Sequence, residues 1–200
     1  MSVEAYRLAN WDTPLWINPN RRPSRFAADG QVVQYWSLHP LTPWAEILRF
    51  HNVTDPREAA ELRLRPWVAQ VHLPEGTIEV DFDNAPRFGI SPDALVDEDH
   101  SRCQKWAASL SVPAMIVPSA ALPGTKNLIL FGPRVRVRYG VDPLEVGLDV
   151  PCDPVANLSV VVEDLLAHVR WRGAPHAGYD AWAAGEPSVT PPVVAVSRMP

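Results

Sequence analysis

Four residues whose types could do chemistry sit at the edges of otherwise apolar runs. Arg25 lies just before a strand-like run, and Tyr35 lies at the end of that run. Glu46 falls in the first turn of a helical pattern, among Trp44, Ala45 and Ile47. Ser119 directly follows the apolar run AMIVP. Taken singly, each has an ordinary structural role: a loop arginine, a core aromatic, a helix N-terminal acid favoured by the dipole, and a turn hydroxyl. Taken in order, they supply a planar guanidinium that can grip phosphate through two parallel bonds, a ring, a carboxylate and a hydroxyl.

Other routes to chemistry are poorly served. The histidines stand at 39, 51, 72, 100, 168 and 176, and no pair has metal-ligand spacing on a helix. With no CxxC either, no metal is expected. Cys103 shares an apolar helical face with Trp106, which suits a buried thiol better than an activated thiolate. The chain has no GxGxxG, no Walker A run and no GxSxG.

Composition narrows the classes further. The chain has 200 residues, 46% of them hydrophobic, enough for one well-buried domain with at most a small appendage. Its 18 Lys and Arg against 23 Asp and Glu give a net charge of −5, so direct nucleic-acid binding through counterion release is not expected. No apolar run approaches the ~20 residues of a membrane helix. The first residues, MSVEAYRLANWD, lack the basic and apolar regions of a signal peptide. Cys103 and Cys152 alone make no disulfide framework. The expected compartment is the cytoplasm, with no membrane contact.

The elements that must position the four residues are short and punctuated by 22 prolines. Strands are expected at 5–9, 32–36, 68–73 and 77–82, and three more at 114–117, 127–131 and 135–139. In the last of these, Arg134, Arg136 and Arg138 alternate with valines and would line a solvated face. Thr42-Pro43 opens a helix, with Thr42 as cap and Trp44, Ile47, Leu48 and His51 on one face. Asp55-Pro56 starts a second helix to about Leu64. Residues 83–99 read as loop. A helix follows at 100–111, with Cys103, Trp106, Ala107 and Leu110 on its apolar face. Asp153-Pro154 opens an expected helix over 154–169, and the last ~25 residues read as an extended tail.

The stretch PSRFAADGQVVQYWSLHPLTPWAEI resembles the signature of the RES-domain family. That family has an Arg in a GGRWN-like loop, then a strand ending in Tyr and a small hydroxyl residue, then a helix with Glu. Here these fall on Arg25, on Tyr35 with Ser37 close behind, and on Glu46. AMIVPSAALPGTKNLIL is similar to the family's later strand, placing its Ser at Ser119 and its Asn at Asn127. Arg7 in AYRLA is similar to an early family arginine preceded by an aromatic. The likeness runs over about 5–135. In one departure, Pro23-Ser24 and Phe26-Ala27 replace the glycines and asparagine of the arginine loop.

The resemblance implies an α+β fold of ADP-ribosyltransferase type: a split, mostly antiparallel sheet with flanking helices around an NAD cleft. It implies a catalytic domain over 1–150 and a C-terminal extension over 151–200. The implied activity is cleavage of the nicotinamide–ribose bond of NAD by phosphorolysis or hydrolysis, as the toxin of a toxin–antitoxin pair. NAD would be the substrate, inorganic phosphate a co-substrate, and a helix-turn-helix (Xre-type) antitoxin the partner; self-association is left open. Glu46 would stabilise the ribosyl cation, Arg25 would bind pyrophosphate or phosphate, and Tyr35 would stack on nicotinamide. Ser119 would bond ribose, phosphate or carboxamide, Arg7 would be a second anion ligand, and Ser37 and Asn127 would join the binding set. The alternatives are an ADP-ribosyltransferase that modifies a protein and a catalytically silent binding module of the same fold.

Overall fold

The computed structural model describes residues 1–9, 23–31, 33–62, 65–131, 152–193 and 195–199. Its strands are β1 (Ser2–Ala9), β2 (Val33–Ser37), β3 (Arg65–His72), β4 (Ile78–Glu79), β5 (Ala114–Pro118), β6 (Lys126–Phe131), β7 (Cys152–Val160) and β8 (Val196–Met199). They form one sheet in the order β4-β5-β6-β2-β1-β3-β7-β8. Every neighbouring pair is antiparallel except β4–β5.

Alternation along the strands builds two cores, one on each face. Val33, Met115, Val117 and Ile129 join the cluster on one side. Trp36, Ala114, Ile116, Leu128 and Leu130 join the cluster on the other. That is the period-2 pattern of strands buried on both faces.

The sheet also has a seam. β1 and β3 stay in register from Ser2↔His72 to Ala9↔Arg65, whereas β1 and β2 share the registered pair Tyr6↔Ser37 alone. Two four-stranded halves therefore meet at β1–β2.

Helix α1 (Thr42–His51) carries Pro43 in its first turn, where a missing N–H costs nothing. Thr42 does not cap it. Leu41 holds the cap position, and the Thr42 hydroxyl instead donates to Thr125 Oγ1 at 2.9 Å. Asn52, at φ 55°, ends the helix by returning its N–H to the carbonyls of Leu48 and Arg49. The buried stripe is Trp44, Ala45 and Leu48, while His51 is exposed. It is rotated from the expected one because α1 packs between the sheet and the segment 162–169, which a local pattern does not show.

Helix α2 (Pro56–Glu61) has the expected cap, Asp55 accepting from Arg57 N–H at 2.7 Å, but stops at Glu61. Helix α3 (Ser101–Ser109) buries Cys103, Trp106 and Ala107 as expected. Between them, the expected strand 77–82 shrinks to β4. Residues 83–99 contain short 3-10 helices at Ala85–Phe88 and Pro92–Leu95. The expected strand 135–139, with Arg134, Arg136 and Arg138, lies outside the described residues.

The helix expected over 154–169 does not form. Its first part is β7, paired with β3, and a 3-10 helix at Glu163–His168 follows. β3 has an outer edge to satisfy, and this segment pairs with it from Val71↔Cys152 to Trp67↔Asn157. Pro154 fits because the register shifts between Val68 and Ala69, a bulge-like break where a missing N–H does no harm. The expected extended tail contains α4 (Ala177–Ala183) and β8.

This C-terminal segment completes a third cluster. Val162, Leu165 and Val169 pack with Leu41, Trp44 and Leu48 of the α1 region and with Ala121 and Leu122. It also explains Gly124, at φ +82°. A Cβ there would stand 2.3 Å from the Val189 carbonyl oxygen, so only glycine lets the passing chain close in.

Candidate active site

The arginine loop is built first, by local bonds. Ser24 and Ala27 exchange backbone bonds of 2.9 and 3.3 Å, making a tight turn with Arg25 at its tip. The Tyr35 hydroxyl clamps the turn from β2: it accepts from Phe26 N–H at 3.2 Å and shares a 2.6 Å bond with Ser24 Oγ. Gln104 of α3 donates to the Ser24 carbonyl at 2.8 Å. Arg25 itself donates to the Asp97 carbonyl. Among the described non-glycine residues, only Asn52 has positive φ. The turn around Arg25 therefore needs no glycine, and Pro23-Ser24 and Phe26-Ala27 can stand where the family has others.

Glu46 comes from α1. Asn127 Nδ2 donates to Glu46 Oε1 at 2.7 Å, and Ser37 Oγ donates to Asn127 Oδ1 at 2.9 Å. Ser37 and Asn127 are direct partners in the β2–β6 ladder, so the sheet register itself sets this relay. The bonds fix the amide's orientation: Asn127 turns its NH₂ to the carboxylate and its oxygen to the hydroxyl. Burial pushes the Glu46 carboxyl above its ordinary range. The Asn127 bond, Arg25 and Arg49 pull it back down.

Arg25, Tyr35, Glu46 and Asn127 line one cavity of about 650 Å³. So do residues that sequence reasoning missed: Arg49, Phe50, Glu98, His100 and Arg172. Arg49 and Phe50 follow Glu46 at i+3 and i+4, so one helix stripe faces the cavity. In the sequence, the apolar stripe of the same helix masks that spacing. Arg49 is 8% exposed; it pairs with Glu98 and donates to the Ala120 carbonyl. Arg170 stands 3.6 Å from the same Glu98 oxygen. Burial lowers the pKa of Arg25, and burial followed by Arg25 and Arg49 lowers that of His100. Three guanidinium groups against two carboxylates make the cavity a local exception in an acidic chain.

Three expected residues sit elsewhere. Ser37 is buried behind Asn127 and bonds to its amide oxygen. Ser119 is fully buried, and its hydroxyl accepts the N–H groups of Ala121 and Leu122 at 3.3 Å each. It shapes the turn whose Ala120 and Ala121 line the cavity. Arg7 lies over the Trp36 ring, 5.7 Å from its centroid, on the face of β2 opposite Tyr35. Cys103 donates to the Ala94 carbonyl, and burial pushes its thiol up to about 11, so it stays protonated. Among the described residues, no group of three or more His, Cys, Asp or Glu could hold a metal, and no helix is long and apolar enough to cross a membrane.

An α+β sheet protein with a half-buried carboxylate in an arginine-lined cleft can bind an anion and stabilise a cationic carbon beside it. The chain belongs to the RES domain family, whose model matches residues 4–149. A protein of Mycobacterium tuberculosis (strain ATCC 25618 / H37Rv) named as a probable NAD(+) phosphorylase is 29% identical over 145 residues, covering 70% of this chain and 68% of that one. Among solved structures, the M. tuberculosis MbcT–MbcA toxin–antitoxin complex contains a chain of similar fold. Its TM-score is 0.59 at 16% identity, with 84% of this chain and 90% of that chain covered.

Proposed function

We propose that this protein cleaves the nicotinamide–ribose bond of NAD and passes the ADP-ribosyl group to inorganic phosphate, with water as the alternative acceptor. Family membership supports this, and so does the phosphorylase name of the mycobacterial relative. The observation that carries it is Glu46: a half-buried carboxylate held by Asn127 in a cleft otherwise dominated by guanidinium groups. The C1′–N bond breaks with its electron pair going to the pyridine nitrogen, which leaves neutral without a general acid. The ribosyl carbon becomes cationic, and Glu46 offsets that charge. A phosphate oxygen then bonds to C1′, giving ADP-ribose 1″-phosphate; water would give ADP-ribose and a proton.

Arg25 and Arg49 hold phosphate groups, and the Tyr35 ring forms the wall against nicotinamide. Ser37 and Asn127 position Glu46. Ser119 and Arg7 hold the wall and the sheet rather than the substrate. The β1–β2 seam supports a split sheet of ADP-ribosyltransferase type. The protein works in the cytoplasm as an NAD-depleting toxin, with a helix-turn-helix antitoxin as its partner.

The test is NAD consumption by purified protein with and without phosphate, with products identified by mass. Phosphate-dependent loss giving ADP-ribose phosphate is expected. Arg25→Ala or Glu46→Ala lowers turnover at least about 100-fold, the scale of one lost transition-state contact. No NAD loss from a folded sample overturns the proposal, and label transferred from NAD to protein replaces it with the transferase.

A further inference from the structure

We propose that Phe50 is the stacking platform for the purine base of the dinucleotide, with Arg49 and Arg172 gripping the phosphates between that base and Glu46; this rests on the NAD proposal above. Phe50 is 59% exposed, although it sits on a helix that buries Trp44 and Leu48 almost completely. A lone exposed aromatic asks for no explanation. This one lines the cavity that holds Glu46 and three arginines. Its plane is set by a perpendicular contact with the His51 ring, centroids 4.9 Å apart at 87°.

The helix arranges the groups in a useful order. Glu46, Arg49 and Phe50 share one stripe, and Phe50 lies ~6 Å further along the axis than Glu46, before two long side chains reach outward. A carboxylate for ribose, a guanidinium for phosphate and a ring for a base stand in the sequence in which a dinucleotide presents those parts. Arg172 adds a second cation from residues beyond 149, where the family match ends. A flat apolar ring flanked by guanidinium groups suits a base joined to phosphates and suits a bare phosphate poorly.

Calorimetry with ADP and with pyrophosphate isolates the base, and steady-state kinetics with NAD adds a second readout. Phe50→Ala is expected to weaken ADP binding at least about tenfold, the size of one lost base stack, and pyrophosphate binding by less than about twofold. Phe50→Trp restores ADP binding. Arg172→Ala weakens both ligands. With NAD, the loss in Phe50→Ala falls mainly in KM. Equal losses for ADP and pyrophosphate, an unchanged ADP affinity in Phe50→Ala, or no ADP binding to the wild type overturns the proposal. Binding decides it even where NAD is not turned over, so its failure and that of the NAD proposal are told apart.

Discussion

Glu46 shows at the scale of one residue how a site is held against the preference of the fold. Burial raises its pKa above the unfolded value, so between the two values the folded state binds the proton more tightly. Stability contributed by the protonated form is therefore lost as pH rises through the folded pKa. Glu46→Gln keeps the shape and removes the charge. It is expected to raise the thermal midpoint at neutral pH, with little gain at pH 4, while NAD turnover falls at least about 100-fold. Paired thermal melts at the two pH values check this; a variant less stable at neutral pH would contradict it. In the proposed reaction it is the ionised form that steadies the ribosyl cation, so the acid limb of kcat is expected above the ordinary carboxylate range. Residue types and their order single out Arg25, Tyr35, Glu46 and Asn127, and the fold lines one cavity with all four. They also single out Ser119 and Arg7, which the fold places in a turn and over the Trp36 ring, because a hydroxyl committed to its own turn and a guanidinium on the far face of a strand look the same in sequence as free ones. Arg172 was invisible because only tertiary folding carries it to the cavity wall.

Among the elements, α4 is capped and docked by a neutral imidazole. His176 Nδ1 accepts Tyr179 N–H at 3.0 Å, so the proton sits on Nε2, which donates to the Ser119 carbonyl at 2.9 Å. Burial lowers the His176 pKa to about 4. Its unfolded value is ~6.5. Over that window the unfolded chain binds the extra proton, so the docking is fully stable above pH ~6.5 and weakens as pH falls toward 4. Hydrogen exchange at the Tyr179 amide should accelerate across this range relative to amides of β5. Equal protection of both at pH 4.5 would show that α4 docks without the imidazole, through the Phe82, Tyr179 and Trp182 rings and the Trp182–Asp83 bond. The elements that sequence placed well are those whose signals are local: α3 from its apolar stripe, α2 from its cap, and β1, β2, β5 and β6 from short apolar runs. β7 looks helical in sequence because its reason for being a strand is the edge of β3, more than eighty residues away.

At the scale of the whole molecule, the segment after 150 and the candidate site are physically continuous. β7 covers the outer edge of β3, and β8 covers β7. Val162, Leu165 and Val169 fill the core that backs α1, the helix that carries Glu46, Arg49 and Phe50. Arg170 reaches the carbonyl of Val96 and lies near Glu98, beside the loop whose Asp97 carbonyl holds Arg25. Burying three such aliphatic side chains stabilises by roughly 1.5–3 kcal/mol each. A domain's net stability is only about 5–15 kcal/mol. Removing them, together with the β3–β7 ladder, should therefore leave less than the fold needs. A chain ending at residue 151 is expected to lose its cooperative thermal transition and its NAD turnover together, where the full chain melts in one step. A sharp melt from the shortened chain would instead make residues 152–200 an appendage. In that case, turnover would show whether Arg172 is dispensable to the site.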